Sequence, residues 1–156
     1  MKSLEVRPVR FCFLLSLLLS APALADGRGV VSVGKLKLTV RDAWLLDSSS
    51  TFVRIVGVPY AAPDRKLIAG KARVEVTVWC KDEFAQSRLT MGRVDIYEEN
   101  GQAYKYSWTT PAAARAVFTE ALRRGNLASL STRIDGARPE TGDAQASWDL
   151  KFSKLK

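Results

Sequence analysis

The sequence predicts a mainly β domain, antiparallel and β-sandwich-like, with about seven strands and one helix at about residues 111–124. Several short runs alternate apolar and polar residues, as half-buried strands do. Turn residues separate these runs at short spacing, which is typical of sandwiches. A single stretch instead repeats its apolar residues at helical spacing. An α+β arrangement, with a curved sheet wrapped around that helix, is the alternative.

The first 25 residues have the three parts of a secretory signal peptide. Basic residues precede an apolar run at residues 11–19, and Ala23-Leu24-Ala25 places small residues before the cleavage site. The apolar run is shorter than the roughly 20 residues that a membrane-spanning helix needs. We therefore expect cleavage after Ala25, a single domain over residues 26–156 without a transmembrane segment, and a periplasmic or secreted protein.

The chain is basic, with 24 Lys and Arg against 16 Asp and Glu and a formal net charge of +8. The basic residues are spread along the chain, and no block of five or more like charges occurs. This pattern favours a solvated basic surface over a nucleic-acid-binding patch. For an exported protein, an anionic envelope polymer or a lipid head group is the anionic partner to expect.

The clearest strand runs from Lys71 to Cys80. Its apolar residues Val74, Val76 and Val78 alternate with the polar set Arg73, Glu75 and Thr77. Cys80 shares the parity of the valines, so we expect it to be a buried small hydrophobic residue. It is the one cysteine left after signal cleavage, which excludes an internal disulfide. Trp79 falls on the polar side, where it either packs against another element or faces a ligand.

Three features are expected before that strand. The apolar parity changes at Gly34, which predicts a β-bulge. Asp42 falls on an apolar parity, which predicts a bend near Arg41 instead of one straight strand. Phe52–Val58 is apolar on both parities except at Arg54, which predicts a strand covered on both faces.

The next two strands form a hairpin whose register follows from its side chains. A two-residue loop would mix polar and apolar residues on each face, whereas a three-residue loop at 99–101, with Gly101 left-handed, separates them. The predicted pairs are Val94 with Tyr106, Ile96 with Tyr104, and Asp95 with Lys105. In this register Tyr97 and Arg93 point away from the apolar face.

The expected helix has signals at both ends. Thr110 is suited to the N-cap, Pro111 to the first helical position and Gly125 to the end of the helix. Ala114, Val117, Phe118, Ala121 and Leu122 form an apolar stripe. We therefore expect this helix to pack on a sheet.

Beyond the helix, the polar stretch 136–145 is a candidate loop for partner contact. The final run at residues 146–153 alternates strongly between apolar and polar residues. It predicts an amphipathic C-terminal strand that completes a sheet. Deleting this strand should unfold the domain.

The composition restricts the chemistry. The chain has no histidine, which removes Ser-His-Asp and Cys-His catalysis and the usual zinc, copper and haem ligand sets. The adjacent acid pairs Asp82-Glu83 and Glu98-Glu99 lie at predicted turns, where acids are usually solvated. We therefore assign no catalytic, cofactor-binding or metal-binding residue, and expect no cofactor.

These observations favour an exported, non-enzymatic envelope protein that acts as a binding or accessory subunit for another protein. The expected contact residues are Tyr97, Arg93, Trp79 and Arg73. A module that binds glycan or another anionic polymer is an alternative. Its stacking platforms would be exposed rings among Trp44, Tyr60, Trp79 and Tyr97, beside Arg54, Arg73 or Arg93. A carrier of a small apolar ligand is another alternative, and an enzyme with two facing carboxylates is a third.

Overall fold

The computed structural model describes residues 26–61, 70–81, 83–84, 89–108, 118–123, 126–140 and 143–155. The predicted signal peptide and its cleavage site after Ala25 lie outside the described residues. Within them are ten strands: β1 (Asp26–Val33), β2 (Leu36–Val40), β3 (Asp42–Ser48), β4 (Phe52–Val58), β5 (Arg73–Cys80), β6 (Leu89–Tyr97), β7 (Ala103–Trp108), β8 (Phe118–Arg123), β9 (Asn126–Ala137) and β10 (Ala146–Ser153). No helix among the described residues is long and apolar enough to cross a membrane.

The strands form two five-stranded antiparallel sheets. Sheet 1 has the order β2-β1-β10-β9-β8, and sheet 2 has the order β3-β4-β5-β6-β7. One hydrophobic cluster contains residues from both sheets, so the sheets share a core. The predicted mainly β, sandwich-like fold is therefore confirmed, with ten strands in place of about seven.

Trp148 lies in the middle of this core on β10. Its ring makes edge-to-face contacts with Tyr106 and Trp108 of sheet 2, with centroids 5.3 and 5.5 Å apart. Its indole Nε1–H donates to Thr132 Oγ1 at 2.9 Å, and both residues are buried. Aromatic packing therefore joins the two sheets, and the buried indole N–H is satisfied within sheet 1, by a side chain of the neighbouring strand β9.

The beginning of the chain differs from the predicted bulged strand. Val33 pairs with Leu36, so β1 and β2 form a hairpin with a two-residue loop. Gly34 has φ +55° at the first loop position, where a tight hairpin turn of type II′ needs a positive φ. A change in the parity of the apolar residues beside a glycine occurs at bulges and at tight turns alike, so the pattern at Gly34 does not distinguish them. The bend near Arg41 is confirmed, because β2 ends at Val40 in sheet 1 and β3 begins at Asp42 in sheet 2.

The β6–β7 hairpin confirms the predicted register in every pair. Val94 lies opposite Tyr106, Ile96 opposite Tyr104, and Asp95 opposite Lys105. Glu98 N donates to Gln102 O at 2.9 Å and closes a three-residue loop, in which Gly101 has φ +86°. The separation of polar and apolar faces was therefore sufficient to specify this hairpin.

The predicted helix at 111–124 is wrong over its described part. Residues 118–123 form strand β8, which pairs with β9 from Phe118 opposite Thr132 to Arg123 opposite Asn126. Pairing with β9 satisfies the backbone groups that face β9 and overrides the helical pattern of this segment. The predicted N-cap and first turns at 110–117, and the predicted helix end at 124–125, lie outside the described residues.

Two strand expectations are confirmed. Val53 and Ile55 of β4 belong to the shared core, whereas Val56 and Val58 form a second buried cluster with Trp44, so β4 is covered on both faces. Cys80 is also buried.

The C-terminal strand β10 lies between β1 and β9. It therefore occupies the centre of sheet 1.

Candidate functional site

All four predicted contact residues lie on one surface, the outer face of sheet 2. We define this face as the side chains of β4 to β7 that point away from the shared core. The valines of β5 point inward, so Arg73 and Trp79 point outward; Val94 and Ile96 of β6 point inward, so Arg93 and Tyr97 point outward. The register places Arg73 opposite Tyr97 and Trp79 opposite Met91. Strand alternation thus places the four residues on one face. Arg73 and Tyr97 lie at one end of it, and Trp79 lies at the other.

Two carboxylates face each other in the middle of this face. Glu75 lies directly opposite Asp95, and both are buried. Each is paired with the arginine two residues earlier on its own strand: Arg73 Nε donates to Glu75 Oε1 at 2.7 Å, and Arg93 Nε donates to Asp95 Oδ1 at 2.8 Å. Like charges directly opposite each other are unfavourable, and the two arginines compensate them. We call these four residues the ion-pair network.

The antiparallel register distributes the network evenly. Each arginine precedes its acid by two residues, so Arg73 and Arg93 lie on opposite sides of the acid pair. Lys105 of β7 lies opposite Asp95 and adds a further positive charge beside it. The network therefore contains no net charge of its own, and each of its two hydrogen bonds lies within one strand.

The pKa values of Asp95 and Arg93 are both raised, for different reasons. Desolvation raises the pKa of the Asp95 carboxyl, and the hydrogen bond and charge of Arg93 lower it only in part. The Asp95 hydrogen bond raises the pKa of the Arg93 guanidinium. Both carboxylates are buried and bonded to arginine, an arrangement typical of structural ion-pair networks.

Tyr97 and Arg73 contact each other directly. The guanidinium carbon of Arg73 lies 3.7 Å from the centre of the Tyr97 ring, within cation–π distance. Burial raises the pKa of the Tyr97 hydroxyl, and the negative charges of Glu75 and Asp95 raise it further. One face of this predicted stacking ring is therefore occupied by a side chain of the protein itself. Trp44, another aromatic candidate, is 5% exposed.

The other end of the face is apolar. Phe52 of β4 lies opposite Trp79 of β5, which lies opposite Met91 of β6, and all three are half-buried. We call these three residues the apolar row. Phe52 and Met91 were not recognised from the sequence. Each is an apolar residue at an outward-facing position of its strand, where polar residues are expected, and each lies opposite Trp79.

An arginine row, which includes Arg93 of the ion-pair network, lies between the apolar row and the facing acids Glu75 and Asp95. Arg54, Thr77 and Arg93 are register partners across β4, β5 and β6. Thr77 is buried between the two arginines. Arg54 is half-buried and makes no hydrogen bond or ion pair within the described part of the chain.

A second, weaker candidate lies on the outer face of sheet 1. A shallow depression of about 270 Å³ is lined mainly by polar residues of β1, β9 and β10. Its Ser147 Oγ donates to Asp135 Oδ1 at 2.7 Å and accepts from Gly136 N, and Asp149 lies opposite Arg133. Ser147 and Asp135 are therefore satisfied within the protein. Within the described residues no group of three or more His, Cys, Asp or Glu side chains is placed to hold a metal.

Comparisons with protein-family models, curated proteins and solved structures found no match. The outer face of sheet 2 is therefore the feature of the molecule that bears on its function.

Proposed function

We propose that this protein is an exported, non-enzymatic envelope protein that acts as a binding or accessory subunit, and that it binds another protein on the outer face of sheet 2. The observation that carries the proposal is the apolar row of Phe52, Trp79 and Met91, bordered by Arg54 and Arg93. Aromatic residues, methionine and arginine are enriched in protein interfaces, and Trp and Arg in their energetic centres.

The position of the apolar row supports docking of a partner. Trp79 lies on β5, the central strand of sheet 2, with Phe52 and Met91 on either side. Neighbouring strands are about 4.8 Å apart, so the row extends roughly 10 Å across a rigid sheet. A large central aromatic side chain between two flanking apolar residues is the usual arrangement of an interface anchor.

The alternatives receive less support from the same face. Stacking on a glycan needs an open row of rings, whereas Trp44 is buried and Tyr97 carries the Arg73 guanidinium on its ring. A carrier of an apolar ligand needs an apolar cavity. The space between the sheets is instead occupied by the packed rings of Tyr106, Trp108 and Trp148.

Site-specific photocrosslinking in the intact exporting cell tests the proposal. A benzophenone amino acid replaces Met91 in one variant and, as the matched control, Val30 in another. Val30 is 37% exposed on the outer face of sheet 1. We expect a discrete protein adduct from position 91 and none from position 30, with the bound protein identified by mass spectrometry. Equal labelling at both positions, or labelling at position 30 alone, would contradict the proposal.

A further inference from the structure

The arginine row indicates which partner chemistry the proposed docking face accepts. Resting on the proposed function, we infer that the partner segment presents carboxylate side chains to Arg54 and Arg93 while its apolar side chains contact the apolar row.

Arg54 has N–H donors that no described residue uses. It is half-buried on β4 between Phe52 and Val56, yet it has no hydrogen bond or ion pair within the described residues. Arg73, on the same face, has both a carboxylate and a ring. A guanidinium is a planar fork of five donors that matches a carboxylate in two parallel hydrogen bonds. Arg54 therefore presents an unused carboxylate-binding group beside an apolar anchor.

Arg93 uses only part of its guanidinium within the protein. Its hydrogen bond to Asp95 uses Nε and holds the side chain in place, while the side chain remains 32% exposed. The terminal N–H groups of Arg93 make no hydrogen bond to the described residues. Asp95 therefore positions the guanidinium, and the remaining N–H groups of Arg93 are available to donate to the partner.

The spacing of the two arginines restricts the partner further. Arg54 and Arg93 lie in one register row with β5 between them, so their backbones are about 10 Å apart. Residues i and i+3 of a polyproline II segment lie on one side about 9 Å apart, and residues i and i+7 of a helix lie on one side about 10 Å apart. We therefore expect two acidic residues at one of these spacings, next to an aromatic or aliphatic residue that contacts Trp79. The excess of Lys and Arg over Asp and Glu in the chain favours encounter with such an acidic segment.

The test uses a random peptide library displayed on phage and selected against the exported chain as purified from the cell. The variants are Arg54→Gln, Trp79→Ala and, as the matched loss of charge, Arg28→Gln. Arg28 lies on sheet 1 with a side chain that is 84% exposed. Circular dichroism and thermal unfolding establish that each variant is folded before selection. We expect peptides that need Trp79 and that contain two acidic residues near an apolar one.

A selected peptide then enters a double-substitution cycle. Arg54→Gln, or Glu→Gln in the peptide, should each weaken binding by about tenfold, as expected for loss of a charged hydrogen bond. The two changes together should cost little more than either alone, because they remove the same contact. Arg28→Gln should leave the affinity unchanged.

The outcomes separate this inference from the proposed function. Selected peptides that need Trp79 but show no acidic enrichment would overturn the inference and leave docking on this face intact. Peptides that bind Trp79→Ala as well as the unmodified chain would overturn both. Equal losses with Arg54→Gln and Arg28→Gln would show attraction by overall charge and overturn the inference. Trp79-dependent binding to phosphatidylglycerol vesicles, in the absence of selected peptides, would assign the face to a membrane surface instead.

Discussion

Removal of Asp95 from the ion-pair network should lower the free energy of unfolding, by an amount that depends on how far Arg93 is buried. In Asp95→Ala, the Nε–H of Arg93 loses its acceptor at 2.8 Å and a half-buried cation loses its counter-charge. Breaking a buried ion pair from one side costs about 3–5 kcal/mol. The Arg93 side chain is 32% exposed and gains water in the variant, so we reduce this expectation to about 2–3 kcal/mol. The melting temperature should fall by about 10 °C.

Urea denaturation of Asp95→Ala, Arg93→Ala and the double variant measures the coupling between the two residues. The double variant should be more stable than the sum of the single changes predicts, by about 1–2 kcal/mol, because it leaves no unpaired charge. The matched control is the exposed pair of Asp26 and Arg28, with a separation of 3.6 Å, for which we expect no resolvable coupling. If the loss from Asp95→Ala is no larger than that from Asp26→Ala, or if the cycle at Asp95 shows no coupling, the network does not stabilise the fold as argued.

Three further predictions concern titration, the core and export. Burial raises the pKa of Asp95 above its ordinary value of 3.8, so the folded state binds this proton more tightly than the unfolded state. The contribution of Asp95 to the free energy of unfolding should therefore fall as pH rises from 3.8 through the raised pKa, and the pH dependence of urea midpoints should be flatter in Asp95→Asn. Thr132→Val leaves the buried Trp148 indole N–H without an acceptor and should cost about 1–3 kcal/mol by urea denaturation, but much less in a Trp148→Phe background; an equal cost in both would contradict this role of the hydrogen bond. N-terminal sequencing of the protein from the cell envelope should begin at Asp26, and a chain that retains residue 1 in the cytoplasm would contradict export.

The parts of the fold that the sequence predicted well are those in which neighbours in sequence are also neighbours in space. The β6–β7 register followed from the side chains alone, because Asp95 opposite Lys105 and Ile96 opposite Tyr104 is the arrangement that separates the two faces. The segment at residues 118–123 was assigned wrongly because its partner β9 supplies hydrogen bonds that a local pattern does not show. Local preference was overridden there by strand pairing.

The candidate site was predicted only in part for the same reason. The parity of β5 and β6 placed Arg73, Trp79, Arg93 and Tyr97 outward, and the structure puts all four on one face. The opposition of Glu75 and Asp95 depends on β5 lying beside β6. Nothing in either strand alone specifies which strand is its neighbour.

The ion-pair network and the arginine row share Arg93, and this makes them dependent on each other. Arg93 binds Asp95 through Nε and lies in register with Arg54, so the carboxylate that compensates the charge of Arg93 also orients its guanidinium beside the apolar row. Asp95→Asn retains an oxygen acceptor for Arg93 but removes the charge that holds it. The free guanidinium then has more conformational freedom and loses more of it when a partner binds. The affinity of a partner for this face should therefore depend on a carboxylate that is itself too deeply buried to reach the partner.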